Sequence, residues 1–166
     1  PTFTLSPELS LLIKTPRVLL NISNGSLGYA KDQPLLSNIF VSIQSGDRVC
    51  LLGNNGSGKS TLLKALLEDS NLIKTGEWLL EPNKNIGYFD QHYSIFHPKE
   101  ISELTPLEFL KNLSPDWTES ELRAHLASFL FRKTEEVNTP ILKLSGGELA
   151  RLALASIAIK TPAVLF

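Results

Sequence analysis

The sequence predicts an α/β fold with a mixed, partly antiparallel sheet at its entry and an inserted helical subdomain. A glycine-rich turn at residues 53–61 follows a short apolar run and precedes a helical pattern, which is the order of a strand–loop–helix unit. Two short β-type segments, Arg17–Ser23 and Leu35–Ile43, come before it and indicate a mixed sheet rather than a parallel repeat. From Ser102 to Phe131 the pattern becomes helical.

Length and composition describe a soluble globular domain. The 166 residues are enough for one core, with 42% apolar and 20% charged residues. A net charge of −1 gives no overall electrostatic case for nucleic-acid binding. The best apolar run, Leu152–Ile159, is too short to cross a bilayer. The single cysteine cannot form an internal disulfide, which suits the cytoplasm.

The glycine-rich turn fits the phosphate-binding template G-x-x-x-x-G-K-[ST]. The motif consists of Gly53, Asn54, Asn55, Gly56, Ser57, Gly58, Lys59, Ser60 and Thr61. Glycines let successive N–H groups converge on a phosphate, and Lys59 brings a positive charge to the β and γ phosphates. The Ser60 hydroxyl can bind Mg²⁺. The preceding run Asp47–Leu52 reads as a buried strand that contains Cys50. The motif therefore predicts nucleoside triphosphate binding.

Two further stretches read as turns, at Asn24–Gly28 and Lys74–Gly76. The first turn is followed directly by Tyr29, whose ring could stack on a base at this position. On the residue alone, an aromatic side chain after a turn is more often simply packed.

Two more strands are predicted, at Glu77–Leu80 and Asn85–Phe89. Gln91 follows the second of them and would lie on the phosphate side if the sheet is shared. A glutamine there could hold Mg²⁺ or a water molecule beside the γ-phosphate. Without further support, a solvent-exposed polar residue is the simpler interpretation.

Three capping boxes predict helix starts, at Thr105–Glu108, Thr118–Glu121 and Ser145–Glu148. The third helix is expected to run to Lys160. A well-capped helix explains this stretch by itself, but Gly146 and Gly147 are costly in a first turn if capping is their only role. They are accounted for if a phosphate must approach the bare helix N-terminus. The three histidines have no metal-ligand spacing, so no metal site is assigned to them.

Together these stretches resemble the ATP-binding cassette (ABC) family from about Arg17 to Phe166. The phosphate-binding turn is similar to its Walker A motif, and Leu144–Glu148 matches its LSGGE signature. Gln91 and Tyr29 fall where the family keeps its Q-loop glutamine and its adenine-stacking aromatic residue, which favours stacking for Tyr29. The resemblance implies a P-loop NTPase fold of the ABC type, with a helical subdomain at about residues 100–140.

The resemblance also implies ATP and Mg²⁺ as cofactors and a second cassette as partner. Lys59 and Gln91 would be the catalytic residues, and Ser60 and Gln91 would hold the metal. In the family, two cassettes pair head to tail, and each signature motif closes over the partner's ATP. The signature residues with this role would be Ser145, Gly146, Gly147 and Glu148.

Within the family, residues 144–155 and Phe129–Phe131 look like the ABC-F branch. This branch carries two cassettes in one chain, has no membrane domain and typically acts on ribosomes. The proline-rich residues 1–16 would suit a linker or arm ahead of a C-terminal cassette. The alternative is the ATPase subunit of an ABC membrane transporter. A P-loop GTPase is disfavoured because the Asn-Lys-x-Asp motif is absent from the sequence.

The sequence departs from the family pattern after Ala163–Phe166. In the family this apolar run continues into the Walker B aspartate, the catalytic glutamate and the switch histidine, and none of these is present. We therefore interpret residues 17–166 as a partial nucleotide-binding domain, excised from a longer polypeptide and inactive in hydrolysis alone.

Overall fold

The computed structural model describes residues 17–30, 33–81, 85–90 and 92–166. The chain forms two compact units, the first ending at Ile86 and the second beginning at Gly87. The strands are β1 (Val18–Gly28), β2 (Leu36–Gln44), β3 (Ile73–Leu80), β4 (Ile86–Gly87) and β5 (Val164–Leu165). The helices are α1 (Lys59–Leu66), α2 (Lys99–Ser102), α3 (Pro106–Leu113), α4 (Glu119–Ser128), α5 (Thr134–Asn138) and α6 (Gly146–Ala158), with 3₁₀ turns at Ser94–Phe96 and Ile141–Lys143.

The first unit is built on an antiparallel sheet in the order β2-β1-β3. Leu27 of β1, Ala65 of α1 and Leu72 form its buried cluster, against which Trp78 of β3 packs. Burial of this apolar area is what holds the sheet to the helix that follows the glycine-rich turn. The expected antiparallel entry to the α/β fold is thus confirmed.

The two predicted turns in this unit are wrong, because both lie inside strands. Asn24 and Gly25 sit at a register shift of β1, where Asn24 has a φ of 48°. Gly76 of β3 lies so close to the Asn24 carbonyl that a Cβ there would stand 2.3 Å from its oxygen. The glycines therefore serve a β-bulge and a close strand approach, and not chain reversal.

The predicted strand Asp47–Leu52 is also wrong. No strand is found there, Cys50 is exposed, and Leu52 is 83% exposed. An apolar run becomes a strand only when neighbouring strands take up its backbone hydrogen bonds. Neither sheet formed by the described residues contains this segment.

A buried carboxylate fixes the start of β1. The Arg17 guanidinium pairs with Glu81, whose side chain is 3% exposed, and the Asn85 amide donates to the same carboxylate at 3.0 Å. The Arg17 N–H donates to the Ser45 hydroxyl at 3.0 Å, and the Ser45 N–H donates to the Arg17 carbonyl at 2.8 Å. Burying a carboxylate is tolerable here because it is both paired and hydrogen-bonded.

The second unit is helical, and its core includes the fully buried Leu110 of α3, Leu126 of α4 and Leu152 of α6. The three predicted capping boxes are confirmed, with the side-chain and backbone bonds of each in place. Helix α6 ends at Ala158, close to the expected Lys160.

A short two-stranded sheet joins the ends of this unit. The Phe166 N–H donates to the Gly87 carbonyl at 2.9 Å, and the Phe89 N–H donates to the Phe166 carbonyl at 2.8 Å. The predicted strand at Asn85–Phe89 is therefore shorter than expected, covering Ile86–Gly87. Among the residues that the structure describes, no helix is both long enough and apolar enough to span a membrane.

Candidate nucleotide-binding site

The phosphate loop, Gly53–Thr61, turns tightly and is closed by its own lysine. The Ser57 N–H donates to the Asn54 carbonyl at 3.2 Å, which makes residues 54–57 a β-turn, and Gly56 has the positive φ of 78° that such a turn favours. The Lys59 ammonium donates to the carbonyls of Gly53 and Asn54 at 2.8 and 2.7 Å. The lysine ammonium is thus held across the mouth of the loop.

Gly58 shows why this loop needs glycine. It has a φ of 92°, in the left-handed region, and forms the N-cap of α1. A Cβ on Gly58 would also stand 3.0 to 3.1 Å from the Leu36 side chain. Both the backbone angle and the available space therefore exclude ordinary side chains.

The start of α1 is open to an anion. Gly58 offers no side-chain cap, and the first turn of α1 holds no acidic residue. Its first N–H groups have no partner within the helix, and the helix dipole adds partial positive charge there. Ser60 is exposed and Thr61 half-buried, so their hydroxyls accompany the N–H groups at this end of the helix. This arrangement suits phosphate binding.

Tyr29 follows the last residue of β1, and its side chain is 61% exposed. The ring is therefore not buried in the core of the first unit, as a simply packed aromatic residue would be. Its role in stacking on adenine stays a prediction that this exposure permits.

Gln91 lies outside the described residues, so its predicted contact with Mg²⁺ stays a prediction. Its neighbour Asp90 organises the segment that follows. Hydrogen bonds from the Ser94 hydroxyl and from the N–H groups of His92 and Ser94 lower the pKa of the Asp90 carboxyl. In the parts of the chain that are described, no three histidine, cysteine or acidic side chains cluster to form a metal site.

The signature motif, Leu144–Glu148, starts α6 with a closed set of side-chain bonds. The Ser145 hydroxyl accepts from the Glu148 N–H at 3.4 Å and donates to the Glu148 carboxylate at 2.6 Å. The Ser145 N–H also donates to that carboxylate, at 2.8 Å. The two bonds from Ser145, with the nearby Arg151 guanidinium, hold the pKa of Glu148 below its usual range.

The two glycines of the signature motif face open space. A Cβ on Gly146 would meet no atom within 4 Å, and one on Gly147 would meet only the Arg151 Nη1 at 3.8 Å. Their packing within the described chain therefore does not demand glycine. A flat, exposed helix start is what close approach of an outside ligand requires.

Arg151 is a residue of this region to which no sequence motif assigns a role. Its guanidinium carbon lies 5.6 Å from the centre of the buried Phe131 ring, and its Nε is buried without a hydrogen-bond partner among the described residues. A position three residues after Glu148 lies on the same side of a helix, and this spacing is the sequence signal that could have found it. The cation–π contact holds the start of α6 against the segment at Phe131.

The predicted residues thus fall into two groups. Tyr29 and the phosphate loop belong to the first unit, and the signature motif belongs to the second.

A family model described as ABC transporter matches residues 36–166. The chain belongs to the ABC family. It is an ATP-binding cassette, and cassettes of this family in general bind ATP with Mg²⁺, hydrolyse it and work as pairs.

Relatives confirm the resemblance to the ABC-F branch. The chain is 36% identical to the "Probable ATP-binding protein YheS" of Haemophilus influenzae, over 99% of this chain and 25% of that protein. It is 38% identical to "ABC transporter F family member 4" of Arabidopsis thaliana, over 78% of this chain and 18% of that protein. The chain therefore spans about a quarter or less of the length of these relatives.

A solved structure confirms the fold class. A bacterial Atm1-family ABC exporter with ATP bound superposes with a TM-score of 0.64 at 22% identity, over 90% of this chain and 29% of that one. At this identity the likeness concerns the ABC ATPase fold alone.

Proposed function

We propose that this cassette binds and, in the intact protein, hydrolyses ATP to close and open a pair of cassettes in a ribosome-associated ABC-F factor. The observation that carries the proposal is the signature motif. Its two glycines are exposed at the start of a capped helix, and their packing in the described chain does not require glycine. Such a surface is explained by an ATP brought to it by a second cassette.

ATP binding begins at the phosphate loop. Lys59 exchanges its bonds with the Gly53 and Asn54 carbonyls for bonds with the β and γ phosphates, and the N–H groups at the start of α1 complete the cradle. Ser60 and Gln91 would hold Mg²⁺, which neutralises phosphate charge when bound. Tyr29, exposed after β1, would stack on the adenine.

The signature motif serves the ATP of the partner cassette in this proposal. Ser145 and the N–H groups of Gly146 and Gly147 would donate hydrogen bonds to its γ-phosphate. Because the cassettes pair head to tail, closure then depends on two bound ATP molecules. Hydrolysis of ATP allows the pair to open again. We place this cycle in the cytoplasm. The 166 residues alone are proposed to bind ATP without hydrolysing it, because they include no Walker B aspartate or catalytic glutamate.

The test uses the full-length protein with a non-hydrolysable ATP analogue that holds the cassettes closed. We expect it to co-sediment with ribosomes only when the analogue is present, and the Lys59→Ala variant to stay in the supernatant. Recovery with membranes and an integral partner would instead establish the alternative, the ATPase subunit of a transporter. Recovery with neither would contradict both.

A further inference from the structure

The chain contains two Asn-Gly pairs, Asn24–Gly25 and Asn55–Gly56. In such a pair the backbone nitrogen of glycine can attack the asparagine side-chain carbonyl, because glycine has no Cβ to obstruct the approach. The reaction also needs a backbone that can rotate, so a rigid surrounding structure suppresses it. The two pairs differ sharply in this respect.

Asn55 and Gly56 are the two central residues of the β-turn in the phosphate loop, and both are exposed. The Ser57-to-Asn54 hydrogen bond that closes this turn is long, at 3.2 Å. A Cβ on Gly56 would meet nothing within 4 Å, so the space beside its Cα is open. Among the described residues, one backbone hydrogen bond closes this turn, and the Lys59 ammonium binds the Asn54 carbonyl at its first residue.

Asn24 and Gly25 are held inside the sheet. Gly25 is buried and faces Ile39 across the β1–β2 pair, while a Cβ on Gly25 would stand 3.2 Å from the Trp78 ring. The Asn24 carbonyl is pressed against Gly76 of β3. Rotation of this pair therefore requires separating β1 from both of its neighbours.

We propose that Asn55 is a site of spontaneous deamidation that inactivates the phosphate loop and that a bound nucleotide slows. The Gly56 nitrogen forms a bond to the Asn55 Cγ, and the side-chain nitrogen leaves as ammonia with the proton that Gly56 loses. Water then adds to either carbonyl of the resulting cyclic imide and breaks its bond to nitrogen. The products are aspartate or isoaspartate, so the balance is one amide and one water giving one acid and one ammonia.

Either product damages a loop that receives phosphates. Both products place a negative carboxylate in the loop that must receive the negative phosphates of ATP, and these like charges repel. Isoaspartate also adds a methylene group to the backbone, which shifts the N–H groups of the cradle. Protection by nucleotide rests on the proposed function, because phosphates held by the loop would fix the Gly56 backbone.

The experiment incubates the full-length protein without nucleotide at mildly alkaline pH and follows both pairs by peptide mass spectrometry and enzymatic isoaspartate methylation. We expect Asn55 to convert at least about tenfold faster than Asn24, since the sheet must open before Asn24 can react. Equal rates, or a faster Asn24, would overturn the inference and leave ATP binding untouched.

A parallel incubation contains a non-hydrolysable ATP analogue with Mg²⁺. We expect slower conversion of Asn55 and unchanged conversion of Asn24. If fresh protein binds the analogue but Asn55 is not protected, protection by nucleotide is wrong. If fresh protein does not bind it, the proposed function fails, and the rates without nucleotide still decide on deamidation.

Ion exchange separates the aged protein into a deamidated fraction, which carries one more negative charge, and an unchanged fraction, which is the matched control. The deamidated fraction should bind ATP about tenfold or more weakly than fresh protein. The unchanged fraction should bind ATP as well as fresh protein does. Equal losses of affinity in both fractions would show that inactivation has another cause.

Discussion

Helices α1 and α6 both begin beside glycines, but their first turns are held in different ways. Before α1, Gly58 takes a left-handed conformation without a side-chain cap, and Lys59 binds the loop's own carbonyls. Before α6, Ser145 is extended and shares three hydrogen bonds with Glu148. In the first case the chain itself requires glycine. In the second, no neighbouring atom of the described chain requires glycine at position 146, so the reason for glycine there would be a bound ligand.

The largest effect is expected from removing the lysine of the phosphate loop. Lys59→Ala should weaken ATP binding by about a hundredfold or more, because in the proposed function it removes a cation that contacts two phosphates. Titration with a fluorescent ATP analogue measures this loss. Lys64→Ala, which removes an exposed lysine from the same helix, is the control and should bind normally. Retained affinity in Lys59→Ala would contradict the assignment of the loop.

The second prediction compares the two glycines directly. Gly58→Ala should lower the free energy of unfolding of the first unit by about 1–3 kcal/mol, because alanine must adopt a left-handed conformation against Leu36. Gly146→Ala should change the second unit by no more than about 0.5 kcal/mol. Urea unfolding measures both, since single-tryptophan variants retaining Trp78 or Trp117 report on one unit each. A large loss in Gly146→Ala would show that its requirement is internal.

The third prediction separates capping from ligand binding. Ser145→Ala and Thr118→Ala should each lower the stability of the second unit by about 0.5–2 kcal/mol, because each removes the side-chain cap of one helix. Only Ser145→Ala should also reduce the ATP turnover of the full-length protein. Equal turnover in the two variants would reduce Ser145 to a structural cap.

The smallest effect concerns pH. Hydrogen bonds from Ser145 keep the pKa of Glu148 below the ordinary glutamate value, so its stabilising effect is complete above about pH 4.3 and is lost as pH falls through the lowered pKa. The first turn of α1 contains no acidic residue, so no carboxylate there is protonated as the pH falls. Amide exchange measured as the pH falls below about 4.3 should therefore increase at the start of α6 before it does at α1. Glu148→Gln should abolish this difference.

The elements that could be predicted from sequence are those determined by neighbours in the chain. Each capping box places its partners three residues apart, and all three helix starts occur where expected. The phosphate loop is similarly local, since its glycines and lysine act within nine residues, Gly53–Thr61. Predictions of this kind need no knowledge of the rest of the fold.

The errors concern contacts between distant segments. Asn24–Gly25 has the composition of a turn, yet it forms a bulge because Gly76, far along the chain, packs against it. Asp47–Leu52 has the composition of a buried strand but lacks a strand to pair with among the described residues. Arg151 was missed because its contact with Phe131 joins segments without a shared motif.

The contacts of Arg17 have a mechanical consequence. Its side chain is tied to the buried Glu81 after β3, and its backbone is tied in both directions to Ser45 after β2. A tension applied to the chain ahead of Arg17 would therefore be shared by both outer strands of the sheet before β1 could slide. The contacts of this one residue thus couple the start of β1 to the ends of both β2 and β3.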